Sequence, residues 1–246
     1  MIVVVPVDPP GVGLASSSLV ETTPVTEADA ALLSEAAAID VLRAAAASGG
    51  DLLVNYRDDE TLPAETVGAD PEGEIRSIAD VALESVENVR FERQVGSSRS
   101  ARIGNTVTHL LERESAGTVG VLEPTVPLVG RSDIDGAAMA LRRHDVVLGP
   151  SSGGRISFAG FAEPVDFEDA YAPPELSTLA DRTGAAGLDL GFAPFLPTVA
   201  AESGLCATIA TLEVRDVAGR PGGEATAAAV EEIGLRVGSD GRLERE

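Results

Sequence analysis

Residues 145–161 read DVVLGPSSGGRISFAGF, an apolar run, a glycine turn and a second apolar run. The turn could bring a backbone close to an anion. Gly153 and Gly154 carry no Cβ, Ser151 and Ser152 offer hydroxyl donors, and Arg155 follows as a fixed cation. It holds no carboxylate, histidine, lysine or cysteine, so it lacks the groups for proton transfer or nucleophilic attack. Residues 6–13 end an apolar run in the same way, with Asp8 placed to meet a hydroxyl and Gly11 and Gly13 in a loose Gly-x-Gly turn. That turn is neither a Walker loop nor the dinucleotide fingerprint. Residues 122–127 follow another run and contain Glu123, the one acid there that could face a hard cation. A single carboxylate makes a poor magnesium site, and no metal-ligand set is recognisable. Plainer uses stay open for all of these: a tight turn with a surface arginine, a loop acid, a capping acid. Arg99 and Arg102, near a helix start, read as partners in exposed ion pairs.

Two histidines and one cysteine complete the reactive side chains. His109 and His144 have no nucleophile or ligand at a recognisable spacing and read as structural. Cys206 lies among Ala, Leu and Ile and reads as a small buried hydrophobe. A lone cysteine excludes an internal disulfide and a Cys-Cys zinc site.

The elements that must position these groups alternate along the chain. IVVVPV, DLLVNY, NVRFERQ, TVGVLEP, DVVLGP, RISFAGF and LDLGFAPF read as strands. Between them, Thr26 with Asp29 opens a helix, helices follow near 77–87 and along Ile103, Val107 and Leu110, and Ser132 with Asp135 caps another. Further helices are expected at 174–187, 200–213 and 224–233, and a terminal hairpin near GLRV…GRL. The pattern predicts an α/β fold, a mostly parallel central sheet with helices on both faces. In such a sheet, ligands bind beyond the carboxyl ends of the strands. No linker or repeat divides the chain, so residues 1–246 are expected to form a single domain.

The 246 residues include 40 acids and 18 bases, every base an arginine, for a net charge of −22. This matches the pattern of salt-adapted proteins, and a haloarchaeal source is the expectation. Nucleic acid is excluded as a partner, because phosphate-backbone binding rests on clustered positive charge. No stretch reads as a signal or a membrane span, so a cytoplasmic protein is expected.

Four segments carry a resemblance to the nucleotide-diphospho-sugar transferase (GT-A) fold, and within it to an uncharacterised glycosyltransferase-like family. That family's motifs are Lys-Ala-Pro…Gly-x-x-Lys-Thr-Arg-Leu, Gly-Thr-Asp-x-Pro, Gly-Pro-x-x-Asp-Gly-Gly-Tyr-x-Leu-x-Gly and Asp-Val-Asp-Thr-x-Glu-Asp-Leu. At their places this chain has VDPPGVGLASSSL, LEPTVPL, GPSSGGRISFAG and TVAAESGL. Gly149, Pro150, Gly154 and Gly160 match the third motif, with Gly153 at its aspartate. Val199 and Leu205 match the fourth, with Thr198, Ala200 and Gly204 at its aspartates. The first segment has lost the basic residues. The resemblance implies a nucleotide-sugar site whose metal-holding acids are gone. Three readings follow from it: a degenerate protein binding a nucleotide or sugar phosphate without a metal cofactor, an active glycosyltransferase or nucleotidyltransferase using displaced acids with a divalent metal, and an interaction subunit without a ligand. Under the first, Arg155→Ala should weaken the ligand.

The charge itself generates a test. At about 0.05 M salt the repulsion among the acids is poorly screened, whereas at about 3 M the Debye length is a few ångströms or less. Circular dichroism should show the chain losing structure as salt is withdrawn. A melting temperature that does not move would contradict this.

Overall fold

The computed structural model describes residues 1–9, 17–62, 70–87 and 89–246. Seven strands form the main sheet: β1 (Ile2–Val7), β2 (Asp51–Tyr56), β3 (Arg90–Arg93), β4 (Val119–Leu122), β5 (Val146–Pro150), β6 (Ile156–Phe161) and β7 (Leu190–Phe192). Their order is β3-β2-β1-β4-β6-β5-β7. All pairings are parallel except those of β6, which runs antiparallel to both β4 and β5. The sheet is thus mostly parallel, as the alternating pattern implies, with one reversed strand inside it.

Helices α1 (Ser17–Thr22), α2 (Glu27–Ala46), α3 (Pro71–Ala82), α4 (Arg99–Glu112), α5 (Arg131–Ala140), α6 (Glu175–Ala185), α7 (Glu202–Val217) and α8 (Glu224–Ile233) surround it. A strand buried on both faces alternates its side chains between two cores. In β1, Val3, Val5 and Val7 join α2, α3 and α5 on one face, whereas Val4 joins α4 and α6 on the other. A third apolar cluster links α1, α2, α7, α8 and the hairpin of β8 (Leu235–Val237) and β9 (Leu243–Arg245). No helix among the described residues is long and apolar enough to cross a membrane.

Local chemistry explains most helix starts. Thr26 and Asp29 close a reciprocal capping box, as their spacing implies. Two starts differ from the sequence expectation. The helix expected at 77–87 begins at Pro71, because Asp70 accepts from Gly73 N at 3.1 Å and proline fits the first turn. The helix assigned to Ser132 begins two residues earlier, capped at Gly130, where Asp133 accepts from Gly130 N at 2.8 Å. The reversed strand depends on glycine: a Cβ at Gly120 or Gly160 would fall 2.7–2.8 Å from the Phe158 ring between them.

Asp40, buried in α2, accepts from Ala225 N at 3.1 Å and from Thr226 N and Oγ1 at 2.8 Å, so it caps α8 across the interface. Asp40→Ala would orphan these buried donors and should cost about 3 kcal/mol. Denaturant unfolding at high salt measures it. A loss below about 1 kcal/mol would show that α8 is held by packing alone.

Candidate functional site at the carboxyl edge of the sheet

The strand ends converge on one edge. Asp8 follows β1, Arg57 follows β2, Glu123 follows β4, and the turn 151–155 joins β5 to β6. Gln94, following β3, leads into the start of α4, which carries Arg99 and Arg102. Glu175 opens α6 behind the turn.

Glu123 is fixed twice. Its N–H donates to Ser157 O at 3.0 Å, and its Oε2 accepts from Arg99 Nη2 at 2.5 Å. Its side chain is 10% exposed, while that of Arg99 is 40% exposed, so the pair has a buried acid and an open cation. The Arg99 guanidinium lies 5.7 Å from the centre of the Tyr171 ring, within cation–π range. Although burial opposes its charge, Glu123 and then Glu175 and Asp8 hold Arg99 firmly protonated.

Arg57 is buried, donates to Thr61 O, and has Asp8 Oδ1 at 3.9 Å from its Nε. Arg102 donates through Nε to Gln94 Oε1 at 2.8 Å. Burial, then the charge of Arg57, lowers its pKa from the ordinary value, with Asp8 opposing and Arg99 adding. Among the described residues, four buried polar atoms have no hydrogen-bond partner: Arg57 Nε, Arg99 Nε, Glu123 Oε1 and Tyr171 OH. All four belong to this edge, and buried polar groups usually find partners.

Glu175 accepts from Ile156 N at 3.3 Å. Burial, with the Glu123 charge adding, pushes its carboxyl up from the ordinary range, while Arg99 and Arg155 act against the shift. Charges of both signs therefore mix along the edge, with Glu175 beside Glu123 and Arg57 beside Arg102 as like-charged neighbours. Four arginines meet three carboxylates here, on a chain that is strongly acidic as a whole.

The turn is built as the sequence suggests, with Gly153 and Gly154 exposed at φ 71° and 74°, values that side chains rarely adopt. Its serines are placed otherwise. Ser151 is buried and gives its proton to Leu196 O at 2.7 Å, so it is no free donor. Ser152 is buried, and its Oγ would lie 2.8 Å from any Cβ at Gly204, the α7 residue against which the turn packs. Gly11 and Gly13 lie outside the described residues. Arg57, Tyr171 and Glu175 escaped the sequence reading. Only the position of Arg57, just past a strand, marked it. Arg99 is in an ion pair, as expected, with its side chain 40% exposed, but its partner is the buried acid at the centre of the site. The remaining candidates are peripheral: His109 lies 3.4 Å from Glu114, His144 bonds Asp189 at 2.5 Å, and burial pushes the Cys206 thiol up.

No protein-family model matches the sequence, and neither does any curated protein. Solved structures do resemble the fold. A protein from Desulfovibrio desulfuricans G20 classed as a nucleotide-diphospho-sugar transferase superposes with a TM-score of 0.73 at 17% identity, over 94% of each chain. A cytidylyltransferase from Leptospira borgpetersenii gives 0.52 at 9% identity, over 94% of this chain and 93% of the other. This is the nucleotide-diphospho-sugar transferase fold. Divalent metal sites are common in GT-A proteins, and this edge does not fit one. No three His, Cys, Asp or Glu among the described residues could hold an ion, and residues 9–20 after β1 contain no acid. The acid that ends β4 already faces a guanidinium, which would repel a cation.

Folded Glu175 keeps its proton to higher pH than the unfolded side chain does. The folded state then binds more protons between the two pKa values, so stability falls as pH rises through that window. Glu175→Gln removes this loss. Thermal melts from about pH 4 to 8 at constant salt should show the wild type losing ground to the variant as pH rises. Parallel curves would mean that Glu175 is ionised freely in the folded chain.

Proposed function

We propose that the chain is a glycosyltransferase-like protein with a degenerate site, which binds a nucleotide or sugar phosphate with little or no transfer. The observation that carries this reading is the Arg99–Glu123 pair: the acid ending β4 is neutralised by an arginine rather than left open to a metal. Arginine binds phosphate through charge-assisted hydrogen bonds without a metal. A bound diphosphate would nevertheless lack the divalent ion that offsets charge on a departing group, which slows transfer. The fold supports the ligand class through the strand ends, where open α/β sheets bind ligands. The wider setting is an intracellular, salt-adapted single-domain protein.

A second reading has one observation in its favour. Glu175 is a carboxyl raised by burial and then by the charge of its neighbour Glu123, a pairing that can separate an acid from a base. An active transferase would use this pair, with Asp8, as its displaced acids.

Calorimetric titration of uridine diphosphate and uridine diphosphate-glucose in high salt distinguishes the readings. Weak binding is expected, changing less than about twofold between magnesium and chelator, without turnover. Affinity that rises strongly with magnesium, or turnover abolished by Glu175→Gln, would establish the second reading. Absence of heat with every ligand would remove both.

A further inference from the structure

Resting on that ligand class, we infer that Arg57, Arg99 and Arg102 form a cradle for a phosphate dianion, and that Glu123 is a built-in counter-ion that the dianion displaces. The cradle stands where the edge cannot hold a metal, and it places the anion at the start of α4 rather than on the 149–154 turn.

The reason begins with repulsion. Arg99 and Arg102 share the first turn of α4, and Gln94, which accepts from Arg102 Nε, donates to Asn55 O two residues before Arg57, so three guanidiniums are gathered at this edge. After burial, the charges of Arg57 and Arg99 act against the proton on Arg102. Like charges gathered in a partly buried place are unfavourable unless an anion answers them. The protein's own answer is incomplete. Among the described residues Arg102 has no carboxylate within 4.0 Å, and its side chain hydrogen-bonds the neutral Gln94 oxygen. Arg57 is 7% exposed, yet among the described residues its Nε is unbonded and its nearest carboxylate is 3.9 Å away. Arg99 also has an unbonded Nε. On a chain with 40 acids and 18 arginines, acids for pairing are abundant, so this shortage is local.

The stoichiometry favours phosphate. With Glu123 displaced and Glu175 favouring its protonated form, Asp8 alone answers three guanidiniums, and a dianion supplies the two charges that a single carboxylate would not. A dianion with three peripheral oxygens can accept from several planar forks at once. The positive end of α4, a 14-residue helix, adds in the same direction. Among the described residues Glu123 has one oxygen on Arg99 and one unbonded, so exchanging it for phosphate breaks one ion pair, and the displaced carboxyl then takes up a proton or turns to solvent.

Glu123 gives the proposal its sharpest test. A ligand-bearing metal at this edge would make Glu123→Gln weaken binding, whereas releasing a competing counter-ion should strengthen it. Inorganic phosphate, glucose 1-phosphate, uridine diphosphate and uridine would be titrated calorimetrically into the full chain at one fixed high salt concentration. The first three separate free phosphate, sugar phosphate and nucleoside diphosphate as sources, and uridine tests the base alone. Arg102→Gln should weaken every phosphate-bearing probe that binds by about tenfold. Glu123→Gln should tighten the same probes several-fold, and uridine should not bind. Wild-type affinity in Arg102→Gln and Glu123→Gln, with loss in Arg155→Gln, would overturn the cradle while leaving the nucleotide reading intact. Failure of all three phosphate probes on the wild type would bring down that reading and the cradle together.

Discussion

The carboxylate that follows β4 is buried: its backbone N–H is held by Ser157 of the reversed strand β6, and its side chain is 10% exposed. A buried charge is stable only if it is met, and Arg99 meets it. Other features of the edge depend on that pair. It joins the end of β4 to the start of α4, sets a cation against the Tyr171 ring, and leaves Glu175 beside a charge that favours its protonated form. It also decides the chemistry, since an acid already held by a guanidinium is a weak partner for a hard cation.

The acidity of the chain and the basicity of the edge have one physical consequence between them. A net charge of −22 repels anions in general. A small region where arginines outnumber acids then stands out more sharply than it would on a neutral protein. At high salt, long-range steering is screened, so recognition there falls to direct guanidinium contacts.

Strand positions were legible because buried parallel strands read as unbroken β-branched runs, and IVVVPV and DLLVNY fold where they read. Caps were legible where the side chain sits at the helix start, as with Thr26, and misleading where a later acid reaches back, as Asp133 does to Gly130. The start at Pro71 was signalled by Asp70-Pro71 but lay within a stretch that composition marked as loop. The reversed direction of β6 has no signature in its own residues, which are buried on both faces like those of a parallel strand. For the site, Asp8, Glu123 and Arg155 could be read from strand ends. Tyr171 and Glu175 could not, since their closeness to Glu123 and Arg99 arises only when distant segments fold together. Motif comparison indicated lost acids, but no local pattern showed that an arginine on another element had taken Glu123.

The most direct measurement of the arginine-for-metal exchange is a crystal of the chain soaked with manganese and uridine diphosphate, with anomalous scattering recorded. Phosphate density on Arg57, Arg99 and Arg102, without an anomalous peak at the end of β4, is the expected result. An anomalous peak at roughly 2.0–2.6 Å from a Glu123 carboxylate oxygen, with Arg99 turned away, would contradict it.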